Sequence, residues 1–291
     1  MGWRTVVVSK PSKLDLKLGY MVVRDSEGTV RVHISEISVL IIENTASSVT
    51  AALLNELTKQ KIKVIFCDEK RNPSSELVSY YGCHDSSLKV RSQMEWKSES
   101  KQAVWTAIVT EKIKNQRNNL VYFQLTEYQL LDRYLEELEF NDETNREGHA
   151  AKVYFNAMFG KNFSRSEDCP INAMLNYGYG IILSCVNREI VSNGYVTQIG
   201  LFHDNMFNQF NLGSDIMEPL RAIVDRKTKE YMPEKFEKEE KKVVLELLSN
   251  ELLVDGKRQT LLNAIRIYVK SVFDAIENND ISNIKFYSYE L

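Results

Sequence analysis

The sequence predicts an α+β fold: a small strand-rich N-terminal domain over residues 1–70, a linker at 71–78, and a larger all-α helical domain over residues 79–291. Three observations carry this expectation. Short β-branched runs and apolar–polar alternation dominate the first seventy residues. The string DEKRNPSS at 68–75 then gathers charge, Asn, Pro and Ser, the residues that solvate and punctuate a linker. Beyond about Glu76 the apolar residues recur at spacings of three and four, the period of helices that bury one face.

Taken in order, Thr5 to Ser9 is a β-branched run, and Leu14, Leu16 and Leu18 alternate with polar neighbours. Met21 to Arg24 and Thr29 to Ile34 flank Asp25-Ser26-Glu27-Gly28, a turn signal that predicts a hairpin. Val39 to Ile42 reads as a buried strand, Ser47 to Gln60 as a helix bearing Val49, Leu53, Leu54 and Leu57, and Lys63 to Cys67 as a strand. In the second domain the helical pattern covers Ala103 to Ile113, Gln124 to Leu138, Ala150 to Phe159, Ile171 to Ile190, Val243 to Leu253 and Gln259 to Ile276. The mixed charges of Lys235 to Lys242 (KFEKEEKK) mark a solvated helix face.

Composition excludes several classes. With 43% apolar and 26% charged residues the chain is an ordinary globular one rather than a disordered or fibrous one. The four cysteines are widely separated and form no C-x-x-C pair, which argues against a disulfide framework or a zinc knuckle and for a reducing cytoplasmic location. No apolar run reaches the roughly 20 residues needed to cross a bilayer, and MGWRTVVVSK lacks the features of a signal peptide, so no membrane association is expected. The chain has no phosphate-binding G-x-x-x-x-G-K-[ST], no G-x-G-x-x-G after a strand and no G-x-S-x-G.

A net charge of -3 argues at first against a polyanionic partner, yet that total hides segregation. Lys89, Arg91, Lys97, Lys101, Lys112, Lys114 and Arg117 outnumber three acids for a local net of +4, while residues 127–147 carry eight acids against two arginines for -6. A basic stretch interleaved with Trp96 and Trp105 has the make-up of a surface that tracks DNA phosphates. The same pattern also describes a solvated helix with its tryptophans in the core.

Two motifs concentrate hard metal donors. In Thr144-Asn145-Arg146-Glu147-Gly148-His149-Ala150-Ala151, Thr144 and Glu147 have capping-box spacing, and Gly148 followed by two alanines leaves room beside the acid for a ligand. In the string Gly200 to Arg221, His203 is followed by Asp215 and Glu218, three apart; these either cap a helix start or face a common cation. Two carboxylates and an imidazole without a thiolate suit Mg2+ or Mn2+, and such a site favours phosphate chemistry.

These strings carry a resemblance. REGHAAKVYFNAMFG (Arg146 to Gly160), INAMLNYGYGIILSCV (Ile171 to Val186) and GLFHDNMFNQFNLGSDIMEPLRAIVD (Gly200 to Asp225) together resemble the CRISPR-associated integrase of spacer acquisition, Cas-one, and the last is most similar to its type II branch. The resemblance covers the layout of the whole chain. It implies that Glu147, His203 and Glu218 are catalytic metal ligands for Mg2+ or Mn2+, with Asp215 a second acid near them. It places Asn176 and Tyr177 near the site, mainly as packing. Ala222 stands where the family often has Pro. The implied activity is a metal-dependent DNA integrase or endonuclease joining the 3'-hydroxyl ends of short DNA fragments into a repeat array by transesterification. The implied partners are double-stranded DNA, a second copy of the chain, a Cas-two dimer in a heterohexamer, and the type II effector nuclease with a ring-forming accessory protein. A general nuclease on branched DNA and a non-catalytic DNA-binding scaffold are the competing readings.

Overall fold

A computed structural model describes residues 2, 4–69, 71–79 and 83–289; the remaining positions of the three expected segments lie outside the described residues. The chain forms two compact units, one reaching to Ser86 and including Val191–Gly194, the other comprising Ser87–Ile190 and the residues from Tyr195 onward. The first is led by strands and the second is mostly helical, as the patterning predicts.

The N-terminal unit runs β1 (Arg4–Val8), β2 (Lys13–Lys17), β3 (Tyr20–Asp25), β4 (Gly28–His33), β5 (Ile37–Ile42), β6 (Ser48–Val49), α1 (Ala51–Lys59), β7 (Lys63–Cys67) and β8 (Pro73–Glu76). One sheet has the order β1-β5-β7-β8, parallel except for its last strand, and the other the order β4-β3-β2-β6. The predicted hairpin is β3-β4, with Asp25 paired to Gly28 across the turn. Thr50 caps α1 by accepting the Leu53 N–H, and the helix buries Leu53 and Leu57 against Leu14, Met21, Leu40 and Val64. Strand β8 falls inside the stretch expected to be a linker. It pairs antiparallel with β7, and Ser74 Oγ donates to Phe66 O, so polar residues that read as solvated chain serve instead as a sheet edge.

The helical unit contains α2 (Ser86–Met94), α3 (Ser98–Tyr122), α4 (Tyr128–Glu136), α5 (Arg146–Phe159), α6 (Pro170–Ser192), α7 (Asn211–Met217), α8 (Arg221–Tyr231), α9 (Lys238–Glu246), β9 (Glu251–Val254), β10 (Lys257–Thr260), α10 (Leu261–Asn278) and β11 (Tyr287–Ser288). The 25-residue α3 is its axis and buries Val104, Trp105, Ile108, Val109, Lys112, Ile113, Gln116, Asn119 and Leu120, a stripe at helical spacing. A small sheet of order β10-β9-β11 interrupts the helices. The expected helix Val243 to Leu253 therefore ends early. Asp255 and Gly256 both adopt positive φ, 55° and 70°, and form a two-residue hairpin loop between Val254 and Lys257. Leu252 and Val254 point inward while Glu251 is exposed, a period of two that the preceding helical spacing obscured. Among the described residues no helix is long and apolar enough to cross a membrane.

Helices α6 and α8 approach closely at Gly178, where a Cβ would lie 2.3 Å from Val224 Cγ1 and 3.1 Å from Cγ2. Gly178→Ala is expected to lower stability by about 1–3 kcal/mol through overpacking, although alanine gains roughly 1 kcal/mol of helix propensity over glycine. Adding Val224→Ala should restore most of the loss in thermal unfolding. A single variant as stable as the parent would contradict the close approach.

Candidate metal centre

The site is assembled from α3, α5, the loop before α7, and the turn between α7 and α8. At the start of α5, Asn145 adopts a left-handed conformation (φ 53°) and its side chain accepts the Gly148 N–H. Asp142 accepts the N–H groups of Arg146 and Glu147 at 2.7 and 3.1 Å. The helix end is thus capped by Asn145 and Asp142, not by the Thr144–Glu147 box that the spacing allowed, and the Glu147 carboxylate is left for other work. A Cβ on residue 148 would sit 2.8 Å from Asn145 Oδ1. Glycine there makes room for the cap, rather than for a ligand as its sequence context suggested.

Glu147 meets Lys112 of α3, whose ammonium also lies 2.5 Å from Glu218 Oε2. Glu218 opens a 3-10 turn (Glu218–Leu220) and receives Arg221 Nε on Oε1 at 3.0 Å. Lys112 and Glu218 are buried and Glu147 is half-buried. Burial pulls the Lys112 ammonium down, but the fields of Glu218 and Glu147 more than reverse this and hold it above the ordinary lysine value. Burial likewise works to raise Glu218, and the cations Lys112 and Arg221 outweigh it and keep the carboxylate below its usual range.

Asp215 is completely buried within α7 and caps no helix. Its carboxylate accepts the N–H groups of Leu201, Phe202 and His203 at 2.6, 3.0 and 3.2 Å and faces His203 Nδ1. A Cβ on residue 200 would meet His203 O at 2.4 Å and Asp215 Oδ2 at 2.7 Å, so this wrapping requires Gly200. With an acceptor-only carboxylate at Nδ1, the imidazole donates there and presents Nε2 outward. The Asp215 hydrogen bond, reinforced by the nearby carboxylates, holds His203 above the ordinary imidazole value. Trp105, fully buried, stacks on Phe202 (4.5 Å, 3°) and meets the His203 ring edge-on at 5.7 Å.

The donor set is therefore carboxylate, carboxylate and oriented imidazole, and the two carboxylates already surround a cation. This fits a hard divalent metal. Among the described residues, the only three metal-type donors whose ligand atoms all lie within 4.8 Å of one another are those of Cys83, His84 and Asp85. These are consecutive residues of one turn, in which Cys83 Sγ donates to Asp85 Oδ1.

Other sequence expectations fare unevenly. Lys112, expected on a phosphate-tracking surface, is buried between the carboxylates. Trp105 is core, and Trp96 packs on Tyr195 and Phe273. Lys89 pairs with Glu277, and Arg117 pairs with Asp132 of the acidic run at 2.8 Å. Arg91, Lys97 and Lys114 are exposed and Lys101 is half-exposed. Asn176 is exposed and accepts from Arg165 Nη2 at 2.6 Å; Tyr177 is buried against Phe236, with Lys241 over its ring. Lys241 and Glu240 are themselves buried, so the α9 segment is less solvated than its charges imply.

Residues 5–255 match the model of the family described as CRISPR associated protein Cas1. The chain belongs to this family. It is 32% identical over 232 residues to a CRISPR-associated endonuclease Cas1 of Neisseria meningitidis serogroup C (strain 8013), covering 77% of this chain and 74% of that one. A relative of the same name from Francisella tularensis subsp. novicida (strain U112) is 25% identical over 286 residues, 87% of this chain and 89% of its own. Solved structures with the same fold include a CAS1 protein from Thermotoga maritima (16% identity, TM-score 0.77, 99% of this chain and 100% of that one) and a casposase bound to integration product (16%, 0.77, 97% and 93%). A chain of a Cas6-RT-Cas1--Cas2 complex also matches (18%, 0.75, 99% of this chain), of whose length this chain spans 36%. The matched residues include every side chain of the candidate site described above.

Behind the donors lies a set of buried polar groups, most of which sequence reasoning missed. Tyr268 OH donates to Ile216 O at 3.0 Å, while Asn115 Nδ2 and Tyr287 OH donate to Pro219 O at 3.3 and 3.1 Å. These donors, from α3, α10 and β11, tie down both sides of the Glu218 turn. Arg221 lies over the Tyr179 ring at 4.7 Å, and Tyr179 OH donates to buried Asp225. Asn119 Nδ2 donates to Tyr154 OH and to Ala222 O at 2.9 and 2.8 Å. Buried asparagines and tyrosines at core spacing on α3 and α10 were the available signal, since such groups sit in a core only with partners.

Burial pushes the Asp225 carboxyl up to about 6, against the opposing Tyr179 hydrogen bond and Arg221 charge. The folded value exceeds the unfolded one of about 4, so the native state holds the extra proton and stability falls as pH rises from about 4 to 6. Asp225→Asn keeps an acceptor for Tyr179 and is expected to remove that decline from thermal melts taken across this range. Parallel profiles for the two proteins would refute the assignment.

Proposed function

We propose that this Cas1-family protein is a metal-dependent DNA integrase and endonuclease of CRISPR adaptation, and that Glu147, His203 and Glu218 hold its Mg2+ or Mn2+. The observation that carries the reading is that half-buried Glu147 and buried Glu218 share the Lys112 ammonium, and that His203, whose Nδ1 is held by Asp215, lies within the field of both carboxylates. Supporting it are relatives named CRISPR-associated endonuclease Cas1 and the shared fold of a casposase bound to integration product.

A divalent ion held there would polarise a phosphoryl oxygen and lower the pKa of the attacking hydroxyl. The chain's own residues prepare that chemistry. Asp215 fixes the His203 tautomer and ring plane, Arg221 holds Glu218 and adds positive charge, and Trp105 with Phe202 gives the imidazole a rigid wall. In the proposed reaction a 3'-hydroxyl attacks a phosphodiester of the repeat array: a new P–O bond forms, the old one breaks, and the leaving 3'-oxygen takes a proton. One phosphodiester replaces another, so no nucleotide hydrolysis is required.

The proposed partners are prespacer and repeat DNA, a second copy of this chain, and a Cas-two dimer in a heterohexamer, together with the type II effector nuclease and ring-forming accessory protein, all in the cytoplasm. The titles of solved complexes that pair Cas1 with Cas2 support the Cas-two proposal. The exposed Arg91, Lys97 and Lys114 remain the proposed phosphate contacts. The scaffold alternative drew on capping roles for Glu147 and the Asp215–Glu218 pair, and neither side-chain cap is formed.

With Mn2+ and a half-integrated repeat substrate, wild-type protein should join strands, and Glu147→Ala should reduce the rate by at least about a hundredfold, since even a group that only supports a metal ligand is worth about 10–100-fold. Strand transfer at the wild-type rate in the variant would refute the ligand assignment. Wild-type products ending in hydrolysed rather than joined strands would favour the general nuclease.

A further inference from the structure

Lys112 occupies a position the α3 pattern reserves for an apolar side chain. Trp105, Ile108, Val109, Ile113, Gln116 and Asn119 around it are all buried, and Lys112 is only 7% exposed. A buried ammonium is tolerated only when it is paired. Its partners here are the two carboxylates assigned to the metal, Glu147 and Glu218. The two negative charges thus meet two positive ones: the ammonium lies between the carboxylates, and Arg221 covers the other oxygen of Glu218.

We propose that Lys112 is a positioning residue acting as a built-in counter-ion, which holds Glu147 and Glu218 together in the metal-free protein and is exchanged for the divalent cation when the site loads. A divalent ion that draws on the same two carboxylates must displace the ammonium from between them. Two cations sharing one contact point repel, whereas the four-carbon lysine stem can swing its head away. Metal affinity is then set by competition, and the bare carboxylate pair never has to exist without a neutralising charge.

The inference rests on the metal-binding reading, and one experiment separates the two. Mn2+ alone is titrated by calorimetry into full-length wild type, Glu147→Gln, Lys112→Met and Lys112→Arg, and melting temperatures are taken with and without Mn2+. The exchange predicts that Lys112→Met binds Mn2+ at least about tenfold more tightly than wild type, because one full charge has left contact range. It also predicts a lower metal-free melting temperature for Lys112→Met and a larger Mn2+-induced rise, while Lys112→Arg keeps near-wild-type affinity. A lysine that merely braces α3 would leave the affinity equal or weaker on removal, and that result overturns the proposal. If Lys112→Met does not fold, Lys112→Gln is read by the same criteria. Mn2+ binding unaltered by Glu147→Gln, or absent from wild type, would overturn the metal reading itself and the exchange with it. Binding lost in Glu147→Gln but not tightened in Lys112→Met would leave the metal reading standing and refute the exchange alone.

Discussion

Two carboxylates brought together, one buried and one half-buried, cannot both stay ionised without a positive charge between them. Glu147 comes from the first turn of α5 and Glu218 from the turn before α8, and Lys112 of α3 stands between them. Much of the surrounding structure serves that meeting. The Asn145 and Asp142 cap releases Glu147 from the helix end, and the donors on Ile216 O and Pro219 O fix the backbone that presents Glu218. Asp215 gathers three backbone N–H groups and the imidazole into one rigid loop. In the proposed reaction this preorganisation leaves the backbone that presents the donors in place, and only the Lys112 side chain has to move.

The electrostatics of the whole chain are less telling than their local arrangement. The -3 total spans a basic stretch and an acidic one that partly neutralise each other in space, as Arg117 and Asp132 do. What remains exposed on the basic stretch is a small group, Arg91, Lys97 and Lys114. The acids divide as well: Asp142 serves the α5 cap, while Glu147 faces the ammonium.

Much of this was legible in the sequence. Strand alternation and the Asp25–Gly28 turn located the N-terminal hairpin, and three-and-four spacing located the long helices. The motifs around Glu147, His203 and Glu218, with the family resemblance they carry, singled out the three residues proposed as metal donors. Asp215 was marked as a further acid, but its task of orienting His203 depends on the loop folding back over α7, which no spacing encodes. Lys112 was read as part of a basic surface because local charge counting ignores helical phase. The stripe through Trp105, Ile108, Val109, Gln116 and Asn119 places position 112 on the buried face and could have flagged it. Strands β8 to β11 were missed: β8 is polar edge chain that looks like a linker, β9 follows a helix whose apolar period overlaps its own, and β10 and β11 are short strands that pair only with β9.

Where a divalent cation sits decides the metal assignment, and anomalous diffraction from Mn2+-soaked crystals measures that directly. The expected result is a manganese peak bounded by the carboxylates of Glu147 and Glu218 and by Nε2 of His203, with the Lys112 ammonium withdrawn from between the two acids. The absence of a peak there, or a peak confined to Cys83, His84 and Asp85, would contradict it.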